Sequence, residues 1–301
     1  MKLALTGATG FVGGHLLDAA LAAGHQVRAL TRRPQDDREG VDWISGDLGD
    51  RQALEQLVDG AEAVIHVAGV ISATSAAAFE LGNVTGTLAM LAAATAGGIH
   101  RFVHVSSLAA REPKLSLYGG SKSRAEALVH SSGLDWTIVR PPAVYGPGDT
   151  ETLELFRMAK LGLMLMPPKG RVSVIHVEDL ARLLVAAAAP DAPTSCLIEP
   201  DDGKANGWTH REFAKALGAA VGTKPVILSS PGVLLRLAAR ADQLVRGPRA
   251  KLTVDRAAYF SHRNWVVEPK RASPAELWQP AIDTLEGLKQ TADWYRLQGW
   301  L

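Results

Sequence analysis

Cysteine is almost missing from this chain: Cys196 is the only one in 301 residues. A single thiol excludes an internal disulfide and a cysteine-based metal cluster, and it fits a reducing cytosol. An excess of charge of either sign is missing too. The formal net charge is +1, so no global field draws the chain to nucleic acid or to an anionic membrane. No charged-then-apolar preamble precedes the first predicted strand, so a signal peptide is not expected. Uncharged runs at residues 63–79 and 81–99 carry His66, Asn83, threonines and scattered glycines, and they break into strand and helix periods. They read as buried α/β core, not as membrane spans. Internal repeats and low-complexity segments are also absent. What remains is 47% hydrophobic and 21% charged, an ordinary globular balance in a chain long enough for one large α/β domain and a smaller appendage.

Alternation of strand and helix is what the first half has in strength. Lys2–Thr6 and Gln26–Thr31 read as strands, as do residues 41–44, 63–67, 102–106 and 136–139. Helical spacing occupies residues 11–24, 51–58, 76–96 and 117–131. This predicts an α/β, doubly wound parallel sheet (a Rossmann fold) over residues 1–190, with continuous apolar strands covered on both faces. A smaller C-terminal α+β substrate domain is expected over residues 191–301, with residues 150–171 contributing to the substrate cleft. In that looser half, residues 152–161 read as a helix, 161–168 as an apolar loop, 172–177 as a strand and 178–189 as its helix. Past a boundary at residues 190–193 come strands at 195–198 and 225–228, and a helix opened by Thr209 with Glu212 in the capping-box position. An amphipathic helix near residues 233–245 carries Arg236, Arg240 and Arg246, and a last helix spans 282–295.

The chemistry begins at Gly7-Ala8-Thr9-Gly10-Phe11-Val12-Gly13, between the first strand and the first helix. Unpaired helix N–H groups and the positive end of the helix dipole meet there, a site that a pyrophosphate satisfies. Gly7 allows the tight turn, Gly10 the approach of phosphate, and Gly13 close packing of helix on strand. An ordinary βα turn is the bland alternative. After the second strand, the position where an acidic residue would accept the adenosine ribose hydroxyls is Thr31, followed by Arg32 and Arg33. A hydroxyl with guanidinium groups suits a phosphorylated ribose, which favours NADP(H) with NAD(H) possible; two solvated surface arginines are the alternative. Asp47 stands where it would accept from the adenine amino group, or merely caps its turn. His66 and His104 read as satisfied core histidines.

Ser106-Ser107 lie at the carboxyl end of the fifth strand, the edge where open α/β sheets bind ligands. Downstream, Tyr118 and Lys122 are four apart and project from one helical face. An ammonium beside the phenol lowers its pKa and lets it trade a proton with a hydroxyl or carbonyl during hydride transfer. Ser107 would hold the same substrate oxygen.

On these residues the chain resembles the extended short-chain dehydrogenases/reductases of the NAD(P)-dependent epimerase/dehydratase type. The turn Thr6 to Gly13, the Tyr118/Lys122 pair, and Ser107 (with Ser106 as fallback) match that family. So do the segment Arg140-Pro141-Pro142-Ala143-Val144-Tyr145-Gly146-Pro147-Gly148, which the resemblance sets against the nicotinamide, and Asn83 on the central helix, which supports the active site. His176-Val177-Glu178-Asp179 resembles a motif near the substrate cleft. Turn chemistry and resemblance together assign Ser107, Tyr118, Lys122 and Asn83 to catalysis. They assign cofactor contacts to Gly7, Thr9, Gly10, Phe11, Val12, Gly13, Arg32, Arg33, Asp47, Leu48, Val67, Ala68, Gly69, Tyr118, Lys122, Pro141 and Val144, and no metal ligands.

The subtype rests on departures. Ser107 is followed by Leu108-Ala109-Ala110, without the Asp-Glu pair of sugar-nucleotide dehydratases. No clear basic diphosphate clamp is present, although Arg171 or Arg236 could serve. The loop 161–168, with Met164 and Met166, is similar to the substrate roof of 3β-hydroxysteroid dehydrogenase and dihydroflavonol reductase relatives, or is simply a core-packing loop. The expectation is an NADP(H)-dependent oxidoreductase interconverting a secondary alcohol and a ketone or aldehyde on an apolar small molecule. A sugar-nucleotide epimerase with tightly bound NAD(P) and a non-catalytic cofactor-binding sensor are the alternatives. A cytoplasmic location, no nucleic acid partner, no integral membrane segment and a possible homodimer complete the expectation.

Overall fold

The computed structural model describes residues 1–73, 75–167, 169–229, 258–259 and 262–301. The helix expected near residues 233–245 lies outside them. Seven strands form one parallel sheet: β1 (Lys2–Thr6), β2 (Gln26–Thr31), β3 (Val41–Ser45), β4 (Ala63–His66), β5 (Arg101–Val105), β6 (Asp135–Val139) and β7 (Cys196–Ile198). Their order is β3-β2-β1-β4-β5-β6-β7, so the strand order reverses between β1 and β4. Every residue of β4 and β5 is buried, as expected of strands covered on both faces. Helices α1 (Phe11–Ala22), α2 (Arg51–Val58), α3 (Ala76–Phe79), α4 (Gly86–Ala96) and α5 (Leu117–His130) flank the sheet. Leu54, Leu57, Val64, Met90, Phe102 and Ile138 share one apolar cluster. Each such side chain contributes about 1.5–3 kcal/mol by leaving water.

The expected long helix at Ala76–Ala96 is long and apolar enough, by length and composition, to cross a membrane. Its middle turn, Glu80–Thr85, is π-helical and carries buried Asn83, while Met90, Leu91 and Ala94 pack into the sheet cluster. The sequence reading of this run as core therefore describes its inner side.

The described chain divides into two compact units. One is Met1–Pro141 with Leu180–Pro200 and Lys270–Gln279; the other is Pro142–Asp179 with Asp201–Pro269 and Pro280–Leu301. They interleave along the chain, whereas the sequence places a single boundary at residue 190. The strand expected beyond that boundary is β7, which extends the parallel sheet beside β6. Arg101 explains it: this buried guanidinium donates to the carbonyls of Ala187 and Pro193 and to Thr137 Oγ1, tying the segment before β7 to the sheet.

The second unit is built from short strands. Ala143–Tyr145 pairs with Val174–His176, and Arg171–Val172 pairs with Trp208–Thr209 and Asn264–Trp265. The expected strand at 172–177 thus breaks at Ser173, whose hydroxyl donates to Asp201. The apolar loop is instead a strand, Leu163–Met166, paired in parallel with Val226–Ser229. Its side chains alternate, with Met164 and Met166 in the core and Leu163 and Leu165 exposed. The methionines are core packing, as period-two alternation dictates for a half-covered strand. Helix His210–Val221 starts as expected, with the Thr209/Glu212 capping box fully formed.

Candidate active site

The turn after β1 has the geometry its glycines require. Gly7 has φ +81°, and a Cβ there would sit 2.8 Å from Ala68 N. A Cβ on Gly13 would lie 1.9 Å from Gly7 O, so no side chain is tolerated. Gly10 is the N-cap of α1 and supplies no side-chain hydrogen bond, and the first turn of the helix has no acidic residue. The donors of Phe11, Val12 and Gly13 therefore stay open to an anion, and exposed Thr9 and Gly10 leave room for it. A dinucleotide pyrophosphate fits this cradle.

At the end of β2, buried Thr31 donates its hydroxyl to Arg33 O at 2.7 Å and holds the following loop. Arg32 and Arg33 are exposed, and neither guanidinium makes an ion pair among the described residues. A pocket of about 400 Å³ beside the turn is lined by Ala8, Thr9, Asp36, Asp37, Arg38 and Trp43, among others, so its charge is mixed. Asp47 accepts the Gly49 N–H at 2.8 Å, the turn-capping role that was its alternative. Leu48 packs against Gly86.

The residues after β4 and β5 converge on α5. Ser106 Oγ donates to Glu126 Oε1 at 2.5 Å, so that hydroxyl is committed to the interior. Ser107, also buried, caps the short 3-10 turn Leu108–Arg111 by accepting from Ala109 N, and its own proton remains to be given. Of the two serines, only Ser107 keeps a hydroxyl proton uncommitted to Glu126. Ser116 caps α5, putting Tyr118 and Lys122 in its first turns. Tyr118 is half-buried with its ring against Phe79. Lys122 is 4% exposed, and its Nζ donates to Val105 O at 2.7 Å. Burial lowers the Lys122 pKa to about 8, against an opposing pull from the Glu126 carboxylate. Gly69 lines the same spot: a Cβ there would stand 2.8 Å from Asn83 Oδ1 and 3.7 Å from Lys122 Nζ. Asn83 accepts from Val70 N and donates to Val70 O and Ser121 Oγ, pinning the post-β4 segment to α5. π-Turns such as the one holding Asn83 recur at functional sites.

Beneath these groups lies a buried ionic cluster absent from the sequence reading. Arg140 bonds Glu126 at 2.6 Å and Glu199 at 3.3 Å, and Arg111 joins Glu199 at 3.6 Å. Glu126, four residues after Lys122, was legible from helical spacing; Glu199 was not, because only β7 delivers it. Val67 N donates to Thr6 O and Ala68 N to Thr6 Oγ1, placing both beside the glycine turn. Pro141 accepts Leu108 N at 3.0 Å, fastening the end of β6 to the turn after Ser107. Val144 is in the second unit, paired with Ile175. There Asp179 accepts the N–H groups of Ala281 and Ile282. Arg171 donates to the carbonyls of Asn206 and Gly207, so the candidate diphosphate clamp is occupied with backbone; Arg236 lies outside the described residues. His66 is a satisfied core histidine as expected. His104 is buried, but neither ring nitrogen has a hydrogen-bond partner, which corrects the expectation that it is satisfied. Burial pushes its pKa well below the ordinary value. Among the described residues, no group of His, Cys, Asp and Glu could hold a metal.

Comparison with known proteins bears on the family and the fold. A family model described as NAD(P)H-binding matches residues 7–191. A ceramide reductase of Caulobacter vibrioides is 40% identical over 310 residues, spanning 99% of this chain and 96% of its own length. A 2-alkyl-3-oxoalkanoate reductase of Stenotrophomonas maltophilia is 31% identical, spanning 75% of this chain and 77% of its own. Among solved structures, the Bordetella bronchiseptica enzyme WbmG in complex with NAD superposes with a TM-score of 0.75 at 19% identity, covering 100% of this chain and 95% of that one. At that identity the likeness shows the fold.

Proposed function

The chain belongs to the NAD(P)H-binding family as an extended short-chain dehydrogenase/reductase, an NAD(P)-dependent enzyme, and from that premise we propose that it reduces a keto group on a long-chain apolar substrate with NADPH. The observation that carries the chemistry is Lys122: a buried ammonium, one helical turn from Tyr118, held by Val105 O beside Gly69 and Asn83. When bound, the reduced nicotinamide supplies the hydride. Ser107 donates a hydrogen bond to the substrate carbonyl oxygen and polarises it. Tyr118 gives its phenolic proton to that oxygen as the carbon is reduced, leaving a secondary alcohol. The Lys122 ammonium stabilises the resulting phenolate until solvent returns the proton. Asn83 holds the segment between β4 and α3 against α5, so that Gly69 and Lys122 keep their spacing.

The substrate class rests on the relatives. The chain aligns almost end to end with a reductase named for ceramide, and a second relative is named for an alkylated 3-oxo acid. The names point to substrates with alkyl chains. The epimerase reading draws on structures below 25% identity and on a clamp that Arg171 does not supply. NADP(H) is favoured by Arg32 and Arg33, exposed and unpaired among the described residues. The cytoplasm is the proposed compartment.

The test is NADPH consumption with a 3-oxo ceramide, a 2-alkyl-3-oxoalkanoate, a short ketone and, with NAD, UDP-glucose. Turnover of the long-chain ketones, lost in Tyr118→Phe, supports the reading. Turnover of UDP-glucose, or equal use of all ketones, overturns it.

A further inference from the structure

We infer that His66 is a positioning residue: a directed chain of buried hydrogen bonds through its ring couples the phosphate-binding turn to the backbone of Tyr118. The inference rests on the assignment of Tyr118 above. Its starting point is Ala68 N–H, which can only donate and does so to Thr6 Oγ1 at 3.2 Å. Thr6 Oγ1 lies 2.7 Å from His66 Nδ1, and His66 Nε2 lies 3.1 Å from Thr87 Oγ1. Thr87 in turn donates to Asn83 O at 2.6 Å. With its proton spent there, Thr87 accepts from the ring, so Nε2 carries the hydrogen and bare Nδ1 accepts from Thr6.

The chain then crosses Asn83. Val70 N–H donates to Asn83 Oδ1 at 2.6 Å, which settles the orientation of the amide and aims Nδ2 at Ser121 Oγ, 2.8 Å away. Ser121 passes its own proton to Tyr118 O at 2.8 Å. Two runs of hydrogen bonds share one sense: the first ends on the Asn83 backbone carbonyl, the second starts from the Asn83 side-chain amide and ends on the carbonyl of the proposed acid, and the covalent frame of Asn83 joins them. Thr6, His66, Asn83, Thr87 and Ser121 are all at most 2% exposed, so water cannot substitute for a missing partner. Burial, with Lys122 nearby, holds the ring pKa at about 3, and the imidazole stays neutral in this single tautomer at working pH. Stacked His104, 5.5 Å away between ring centroids, supplies no hydrogen bond to it. His66 is the one member that both accepts and donates across the gap between β1 and α4. Removing it leaves the buried Thr6 proton without its acceptor, takes a donor from Thr87, and uncouples the cofactor turn from α5.

The experiment uses the intact enzyme with NADPH and the ketone found above. His66→Leu should lower kcat about 10- to 100-fold while changing NADPH affinity far less, because misplacement of the reacting groups costs rate before binding. The acid limb of the kcat profile in the alcohol-oxidation direction should move to higher pH, as Tyr118 loses its place beside Lys122. His66→Gln, whose carboxamide keeps one acceptor and one donor, should recover most of kcat. Thr87→Val should copy the loss, Thr87→Ser should recover it, and His66→Leu with Thr87→Val should lose no more than either alone. If His66→Leu does not fold, the Thr87 pair carries the test. Wild-type kcat and pH profile in the chain-breaking variants overturn the proposal, as do a His66→Gln no better than His66→Leu, or additive losses. Should Tyr118→Phe itself keep turnover, the underlying assignment falls; a dead Tyr118→Phe beside wild-type His66 and Thr87 variants removes the relay alone.

Discussion

Both compact units bury polar side chains, and they put them to different use. In the second unit the buried carboxylates close backbone turns. Asp149 accepts from the N–H groups of Glu151 and Thr152, and Asp179 from those of Ala281 and Ile282. Strands of two to four residues make few ladder bonds, and carboxylates supply what the ladder lacks. In the first unit the sheet ladder is complete, so buried polar groups are free for something else. They form a directed chain through His66, an ion cluster on Glu199, and a lysine whose burial weakens its own proton affinity. Isolating an ammonium from water is costly, and a fold keeps such a group where chemistry uses it. The first unit brings His66, His104 and Lys122, whose proton affinities burial lowers, together at the carboxyl ends of β4 and β5.

Tyr118→Phe gives the largest expected effect on this contrast. It should cut kcat by about 10²–10⁴-fold at unchanged stability, as removal of a positioned proton donor does; steady-state rates and a thermal melt check it. A smaller loss would put the chemistry elsewhere. Acid stability comes next. His66 and His104 are held neutral by burial, so the unfolded chain binds their protons first and stability falls as pH drops below about 6.5. Between pH 6.5 and 5 the loss should approach about 2 kcal/mol per histidine, measured by urea unfolding. His66→Gln should remove one share. An acid response unchanged in that variant would break the assignment of this loss to the buried histidines of the first unit.

Arg32→Ala with Arg33→Ala should weaken NADPH about tenfold or more and leave NADH nearly unchanged, read by titration calorimetry. Parallel losses for both dinucleotides would mean that the arginines serve only as a solvated face. Smallest is Thr209→Ala, which removes the capping box of the second unit. It should cost about 1 kcal/mol of stability with kcat unaltered. A change in kcat there would blur the division of labour between the units.

Much of this was legible in the residues alone. Regular periodicity marked β1 to β6, because parallel strands under helices must be continuously apolar. Gly7 and Gly13 announced a turn that no other residue type can make, and Tyr118 and Lys122 are neighbours by helix geometry alone. The Thr209/Glu212 box was equally local. Errors came wherever a residue's role depended on a distant partner. Residues 163–166 read as a loop because a four-residue strand exists only through its pairing with Val226–Ser229. The strand at Cys196–Ile198 was assigned to the wrong side of a boundary because Arg101, almost a hundred positions earlier, binds the segment before it.

The glycine turn shows the same line most clearly. Its spacing by itself determined a tight βα turn with open helix-end donors, since backbone sterics and helix-end donors are properties of consecutive residues. Only tertiary structure decided that Thr6, at the head of that turn, reaches His66 sixty positions away, and through Thr87 and Asn83 reaches Tyr118. Hydrogen-bond partners inside a sheet are chosen by strand order and register, and neither is written in the spacing of one segment.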